Sequence, residues 1–174
     1  MNEKLADNDH NATDTPQTGT FNVITQYLKD LSFESPHAPF SILDLREPPQ
    51  LEVGINIELN PFANNPQAEN IPDREHLFEV ILSLSTKAQK ADSALLFHVE
   101  LLYAGLFLVK DIEEQHLRPL LAIEAPRLLF PFARQILSDA TKNGGFPHVM
   151  LDPIDFANLY YTNLAKANPQ AGTA

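Results

Sequence analysis

With 174 residues and 44% hydrophobic side chains, the chain is long enough to bury the core of one domain. Its formal charge of -11 repels a phosphate backbone, which argues against nucleic acid and for basic or unfolded polypeptide as a partner. The absence of cysteine excludes disulfides, thiolate catalysis and cysteine-ligated zinc.

Residues 1–19 are rich in Asn, Asp and Thr, lack periodicity and are expected to form a disordered tail, as are residues 167–174. Met1–His10 has neither the basic nor the apolar region of a secretory signal, so the sequon Asn11-Ala12-Thr13 is read as chance. No apolar run reaches the roughly 18 residues of a membrane helix, and a cytoplasmic protein without membrane insertion is expected.

From Phe21 the pattern takes a period of two. Phe21, Val23, Tyr27, Leu31 and Phe33 share one parity, and Asn22, Gln26, Asp30, Ser32 and Glu34 the other, which predicts a long half-buried strand. Pro36, Pro39, Pro48 and Pro49 make residues 35–50 a loop. Leu51, Val53, Ile55, Ile57 and Leu59 then alternate with polar residues or Gly54 in the cleanest strand of the chain. A polar loop over 61–72 leads to a third strand over 74–89, with Phe78, Val80, Leu82 and Leu84 facing one way. After a turn near Lys90-Ala91-Asp92, a fourth run over 94–109 is apolar on both parities. Such a strand must be covered on both faces, by helices, another subunit or a ligand.

Two helices are predicted next. The first runs from about 127 to 142, with Leu129, Phe132, Ala133, Ile136, Leu137 and Ala140 as its apolar stripe. Pro131 is expected in its first turn, and Asn143-Gly144-Gly145 supplies the stop. A second helix is expected to start at Asp152 as N-cap, with Pro153 in its first position. Strands first and helices last give an α+β fold, a four-stranded antiparallel sheet followed by two C-terminal helices.

Chemistry is sparse. The histidines His10, His37, His76, His98, His116 and His148 include no helical metal pair and no HExxH. Phosphate-binding glycine loops and a GxSxG elbow are missing too. Neither catalysis nor a cofactor or metal is expected. A hydrolase built on His98 and Glu100 would lack both a nucleophile and an oxyanion motif. Asp30 and Glu34 lie four apart on the polar side of the first strand, either as a solvated face or as a docking surface for a cationic partner. Glu100 interrupts the apolar fourth strand. It is either paired inside an interface or turned to solvent, on one face with His98 and Leu102.

Tyr27-Leu28-Lys29-Asp30-Leu31-Ser32-Phe33-Glu34-Ser35-Pro36, continued by Ala38-Pro39, resembles the first-strand motif of the SecB protein-export chaperones. Ile123-Glu124-Ala125-Pro126-Arg127-Leu128-Leu129-Phe130-Pro131-Phe132-Ala133-Arg134 is similar to that family's helix segment. Gly144-Gly145-Phe146-Pro147, Leu151-Asp152-Pro153-Ile154-Asp155-Phe156 and Tyr103-Ala104-Gly105-Leu106-Phe107 resemble its links and the end of its fourth strand. The resemblance covers about 20–165 and implies one SecB-like domain over 20–166. It also implies a homotetramer, a dimer of dimers, that holds unfolded precursor proteins without nucleotide and passes them to the SecA motor. In that family the basic, zinc-binding tail of the motor docks on the acidic sheet surface, which carries the role to Asp30, Glu34 and Glu100. His98 stands where the family commonly has Leu.

A substrate groove is expected to use Phe40, Phe78, Phe97, Leu128, Phe130, Phe156 and Tyr160. Subunit contacts are expected at Leu101, Tyr103, Phe132 and Ile136. The alternative within the same fold is a chaperone dedicated to one partner, such as an antitoxin.

Overall fold

The alternating runs do form strands, in a computed structural model that describes residues 19–43, 45 and 47–167. The expected tails fall outside the described residues, except for Gly19 and Ala167. In chain order the elements are β1 (Thr20–Glu34), α1 (Phe40–Leu43), β2 (Gln50–Pro61), β3 (Leu77–Gln89), β4 (Leu95–Lys110), α2 (Glu114–Asn143) and α3 (Phe156–Ala167). Short 3-10 turns fill the β2–β3 connection.

The four strands form one antiparallel sheet in the order β1-β4-β3-β2. β2, β3 and β4 follow one another as neighbours, while the segment after β1 crosses to the far edge, so β1 and β2 are both edge strands. This is a Greek-key connection.

One face of the sheet carries the core. Val80, Leu82, Leu84, Thr86 and Ala88 of β3 lie beside Phe97, Val99, Leu101 and Phe107 of β4, all buried. Leu121, Ala125, Leu129, Ala133 and Leu137 of α2 recur every fourth residue and close over them. The expectation that Leu101 and Tyr103 face another subunit fails here. They are 0% and 8% exposed beneath the helices of their own chain. The sequence made both parities of β4 apolar, and the odd one proves to be the chain's own core.

Three further expectations are corrected. The first helix begins at Glu114 rather than 127, and Pro119, Pro126 and Pro131 all lie inside it. Each proline removes one backbone bond, to the carbonyl four residues before it, but the buried stripe from Leu121 to Leu137 keeps the segment helical. The second helix begins at Phe156, and Asp155 rather than Asp152 caps it. The Asn158 amide donates to Asp155 Oδ1 at 3.0 Å and the Leu159 amide to the Asp155 carbonyl at 3.0 Å. Pro153 disfavours helical backbone at Asp152, and no helix is formed there.

The third correction concerns β1. Its register with β4 slips between Val23 and Thr25 and again between Leu28 and Asp30, leaving Ile24 and Lys29 as bulges. Phe21, Val23, Leu28, Leu31 and Phe33 therefore pair on the helix side, and Tyr27 lies on the opposite face from its expected companions. The stop after α2 is as expected. Gly145 takes φ of 86°, with Gly145 N–H donating to the Lys142 carbonyl at 3.1 Å and Phe146 N–H to the Thr141 carbonyl at 3.2 Å.

Candidate functional site

The face turned away from the helices is polar, and the cross-strand register sets out its rows. Asp30 lies level with Leu102, Ser83 and Asn56. The next row is Ser32, Glu100, Ser85 and Gly54, followed by Glu34, His98, Lys87 and Glu52. Asp30, Glu34 and Glu100 thus share one face, as the sequence predicts, and all three are exposed. Within this chain Glu100 faces outward rather than into the core. Its carboxylate has His98 Nε2 3.7 Å away on the same strand face.

Between Asp30 and Glu100 the surface dips into a depression of about 450 Å³ bordered by Gly54, Asn56, Ser83 and Ser85. Gly54 approaches Ser85 so closely that a β-carbon there would overlap the Ser85 hydroxyl. Small residues on β2 and β3 therefore keep this part of the face low, with the carboxylates above it.

Farther along the same face, Glu79 gathers three donors. Lys29 Nζ lies 2.7 Å from Glu79 Oε1, Tyr27 donates its hydroxyl hydrogen to the same oxygen, and Asn60 Nδ2 is 3.3 Å from Oε2. Tyr27 and Lys29 reach from β1 to β3 across β4, over Ala104, whose small side chain is fully buried. Burial opposes the charge on Glu79, yet the hydrogen bonds from Lys29, Tyr27 and Asn60 outweigh it and hold the carboxyl below its ordinary range. Burial first, then the hydrogen bond to Glu79 and its charge, push the Tyr27 phenol up to about 12.

The helix side carries a groove along β2. One cavity of about 760 Å³ runs between Ile57, Leu59 and Phe78 of the sheet, Leu117 and Leu121 of α2, and Leu159 and Tyr160 of α3. A second, of about 630 Å³, lies between Leu51, Val53 and the segment from Pro147 to Ile154. Ile55 lines both, so the two lie side by side along β2.

Phe78 and Tyr160 line the first cavity, while Phe97 borders the second but is itself core, 1% exposed. Phe130 and Phe156 are instead core. They are buried and meet edge to face, 5.8 Å between centroids. Phe40, 77% exposed on α1, and Leu128, exposed on α2, line neither cavity. Missed by the sequence reading is the β2 row itself, with Leu51 47% and Val53 41% exposed. Strict alternation marks those residues as facing the helix side, but not that the helices stop short of covering them.

Among the expected subunit contacts, Phe132 is 53% exposed and stacks on Tyr103 at 6.3 Å, and Ile136 is half-buried. Exposed apolar residues also run along the β1 edge, at Val23, Ile24, Leu28 and Leu31. Among the described residues no group of three or more His, Asp or Glu could hold a metal ion. No described helix is long and apolar enough to cross a membrane.

The sequence model of the SecB family, "Preprotein translocase subunit SecB", matches residues 14–167. A protein-export protein SecB of Bartonella quintana (strain Toulouse) is 48% identical over 153 residues, 88% of this chain and 89% of that protein. One from Rhodopseudomonas palustris (strain TIE-1) is 47% identical over 163 residues, 92% and 96% of the two chains. Among solved structures, the Mycobacterium tuberculosis SecB-like chaperone Rv1957, in complex with a ChAD peptide from the HigA1 antitoxin, has a TM-score of 0.55. That likeness covers 77% of this chain and 90% of the other at 17% identity, and it is a likeness of fold.

Proposed function

The chain belongs to the SecB family of protein-export chaperones, and from that premise we propose which of its surfaces does which task. Unfolded precursor proteins are held, without nucleotide, in the groove along β2. The acidic face on the other side of the sheet receives the SecA motor through Asp30, Glu34 and Glu100.

One observation carries the holding site: the apolar row of β2 stays open to water at Leu51 and Val53, beside the cavities that Ile55 lines. Open apolar surface favours contact with any apolar segment by about 25 cal/mol per Å² removed from water. Such contacts read hydrophobicity rather than sequence, which suits a protein that must accept many non-native chains. Several grooves in one oligomer would add avidity.

The docking site rests on the shared face of Asp30, Glu34 and Glu100, set beside a depression that small residues keep open. A cationic tail would be steered there by the summed field. Assembly as a dimer of dimers would cover the exposed apolar edge of β1 and the exposed residues Leu128 and Phe132 of α2. Precursors are still unfolded in the cytoplasm, which is where this activity belongs. The reading as a chaperone dedicated to one partner has no residue of the groove or the acidic face in its favour.

Light scattering of an unfolded precursor diluted from denaturant tests the holding role. Suppressed aggregation at one tetramer per precursor is expected, and unchanged aggregation would overturn the reading.

A further inference from the structure

Asp30 and Glu34 reach the acidic face only because β1 contains a bulge at Lys29. On β4 the partner advances by one residue, Tyr103 to Leu102, while β1 advances by two, Leu28 to Asp30. Strand side chains alternate with a period of two, so without that extra residue every side chain from 30 to 34 would change sides. Asp30 and Glu34 would then point at α2, and Leu31 and Phe33 at water.

Within one chain β1 is an edge strand of the described sheet, so there its ladder with β4 and its side chains resist a slip. The side chains flanking the slip converge on one group. Tyr27, two residues before the bulge, and Lys29, the bulged residue, both end on Glu79 of β3. Asn60 of β2 holds the other oxygen of that carboxylate. The Glu79 side chain is only 12% exposed, so water competes weakly for these bonds. The network therefore ties β1 to β3 and β2 across β4, at the residue where the register changes.

We propose that Lys29 and Glu79 are positioning residues, whose ion pair pins the bulge and thereby sets Asp30 and Glu34 on the docking face. The consequence for the motor rests on the docking role given above to Asp30 and Glu34. The pinning itself does not.

Lys29→Met separates this role from plain charge. It makes the face one unit more negative, so a surface acting by charge alone would bind a cationic tail more tightly. Pinning gives the opposite sign, a loss of roughly five- to tenfold, the scale of a half-buried, hydrogen-bonded ion pair. The probe is the zinc-loaded basic tail of the motor, titrated calorimetrically against the full chain. Client holding stays intact, because Lys29 is absent from the groove, and Lys29→Arg restores tail binding.

The second readout is the cross-strand backbone contact between Asp30 and Leu102, followed by nuclear Overhauser effects and amide exchange. It weakens in Lys29→Met and in Glu79→Gln, which serves should the first variant fold poorly. Tail affinity equal to or above wild type, with the Asp30–Leu102 contact unchanged, would overturn the inference. In parallel, Asp30→Asn with Glu34→Gln tests the docking role. If that double variant binds the tail normally, the docking role falls. The Asp30–Leu102 contact in Lys29→Met then decides the pinning alone, its loss supporting the inference and its retention sinking it.

Discussion

The ring of Phe33 rests on Gly144 so closely that a β-carbon at position 144 would overlap it. The same ring stacks on Phe97 at 5.8 Å and meets Phe146 at 6.3 Å, so the end of β1, the end of α2 and the β4 core converge there. Gly144 has an ordinary φ of -72°, so the glycine is needed for space and not for backbone freedom.

Gly144→Ala should therefore destabilise the fold by about 1–3 kcal/mol, the cost of overpacking a tight contact. Chemical denaturation followed by circular dichroism measures it. Adding Phe33→Leu should recover part of the loss, because the two positions share one space. Strictly additive effects would show that the alanine acts elsewhere.

Asp30→Ala combined with Glu34→Ala should weaken SecA binding by about tenfold at low salt, and by less as ionic strength passes about 0.15 M. Calorimetry at several salt concentrations reads both effects. Binding of an unfolded client should not change, since neither residue lines the groove. A parallel loss of client binding would mean that the two faces of the sheet are not independent.

Ile55 borders both cavities, so a polar residue there should harm long clients that span the two more than short ones. Ile55→Asn is expected to leave binding of a peptide short enough for one cavity within about twofold. Capture of a full-length unfolded precursor should fall by about tenfold, as linked contacts lose their combined effect. Fluorescence anisotropy with both ligands makes the comparison, and equal losses would argue that the cavities act as one undivided site.

Removing the Tyr27 hydroxyl should matter in a defined pH window. The phenol is raised from an ordinary 10.0 to about 12, so its bond to Glu79 contributes fully below pH 10 and is lost as pH climbs toward 12. The stability gap between wild type and Tyr27→Phe should therefore close between about pH 10 and 12. Glu79 has the opposite sign. Its carboxyl is lowered from 4.5, so its contribution is present above that value and fades as pH falls below it. Urea midpoints of both chains across these ranges test the pair, and a gap that ignores alkaline pH would remove Tyr27 from the network.

How far the sequence speaks depends on what each residue senses. Leu51–Leu59 announces a strand because its alternation is unbroken, and the shared side of Asp30 and Glu34 was legible from their spacing in the first-strand motif, while Glu100 had to be placed from its parity in β4. The bulges of β1 were hidden. Tyr27 suits either face, and the slip at Lys29 is set by Glu79, 50 residues away in sequence. Pro119 and Pro126 act locally as helix breakers, so only the packing of Leu121, Ala125 and Leu129 on the sheet reveals that the helix continues. For Leu101 and Tyr103 the sequence supplied two apolar parities with no means of ranking them. The openness of the β2 groove depends on where α2, α3 and the segment from Pro147 to Ile154 come to rest on the sheet, which no local pattern encodes.

The sheet is a wall one residue thick. Along β4 the chain passes from Val99 to Glu100 to Leu101, and so from one compartment of the molecule to the other and back, at every step. Neighbours in the sequence thus answer to different tasks. A substitution can alter one face without disturbing the other, so long as the count of residues in each strand is kept.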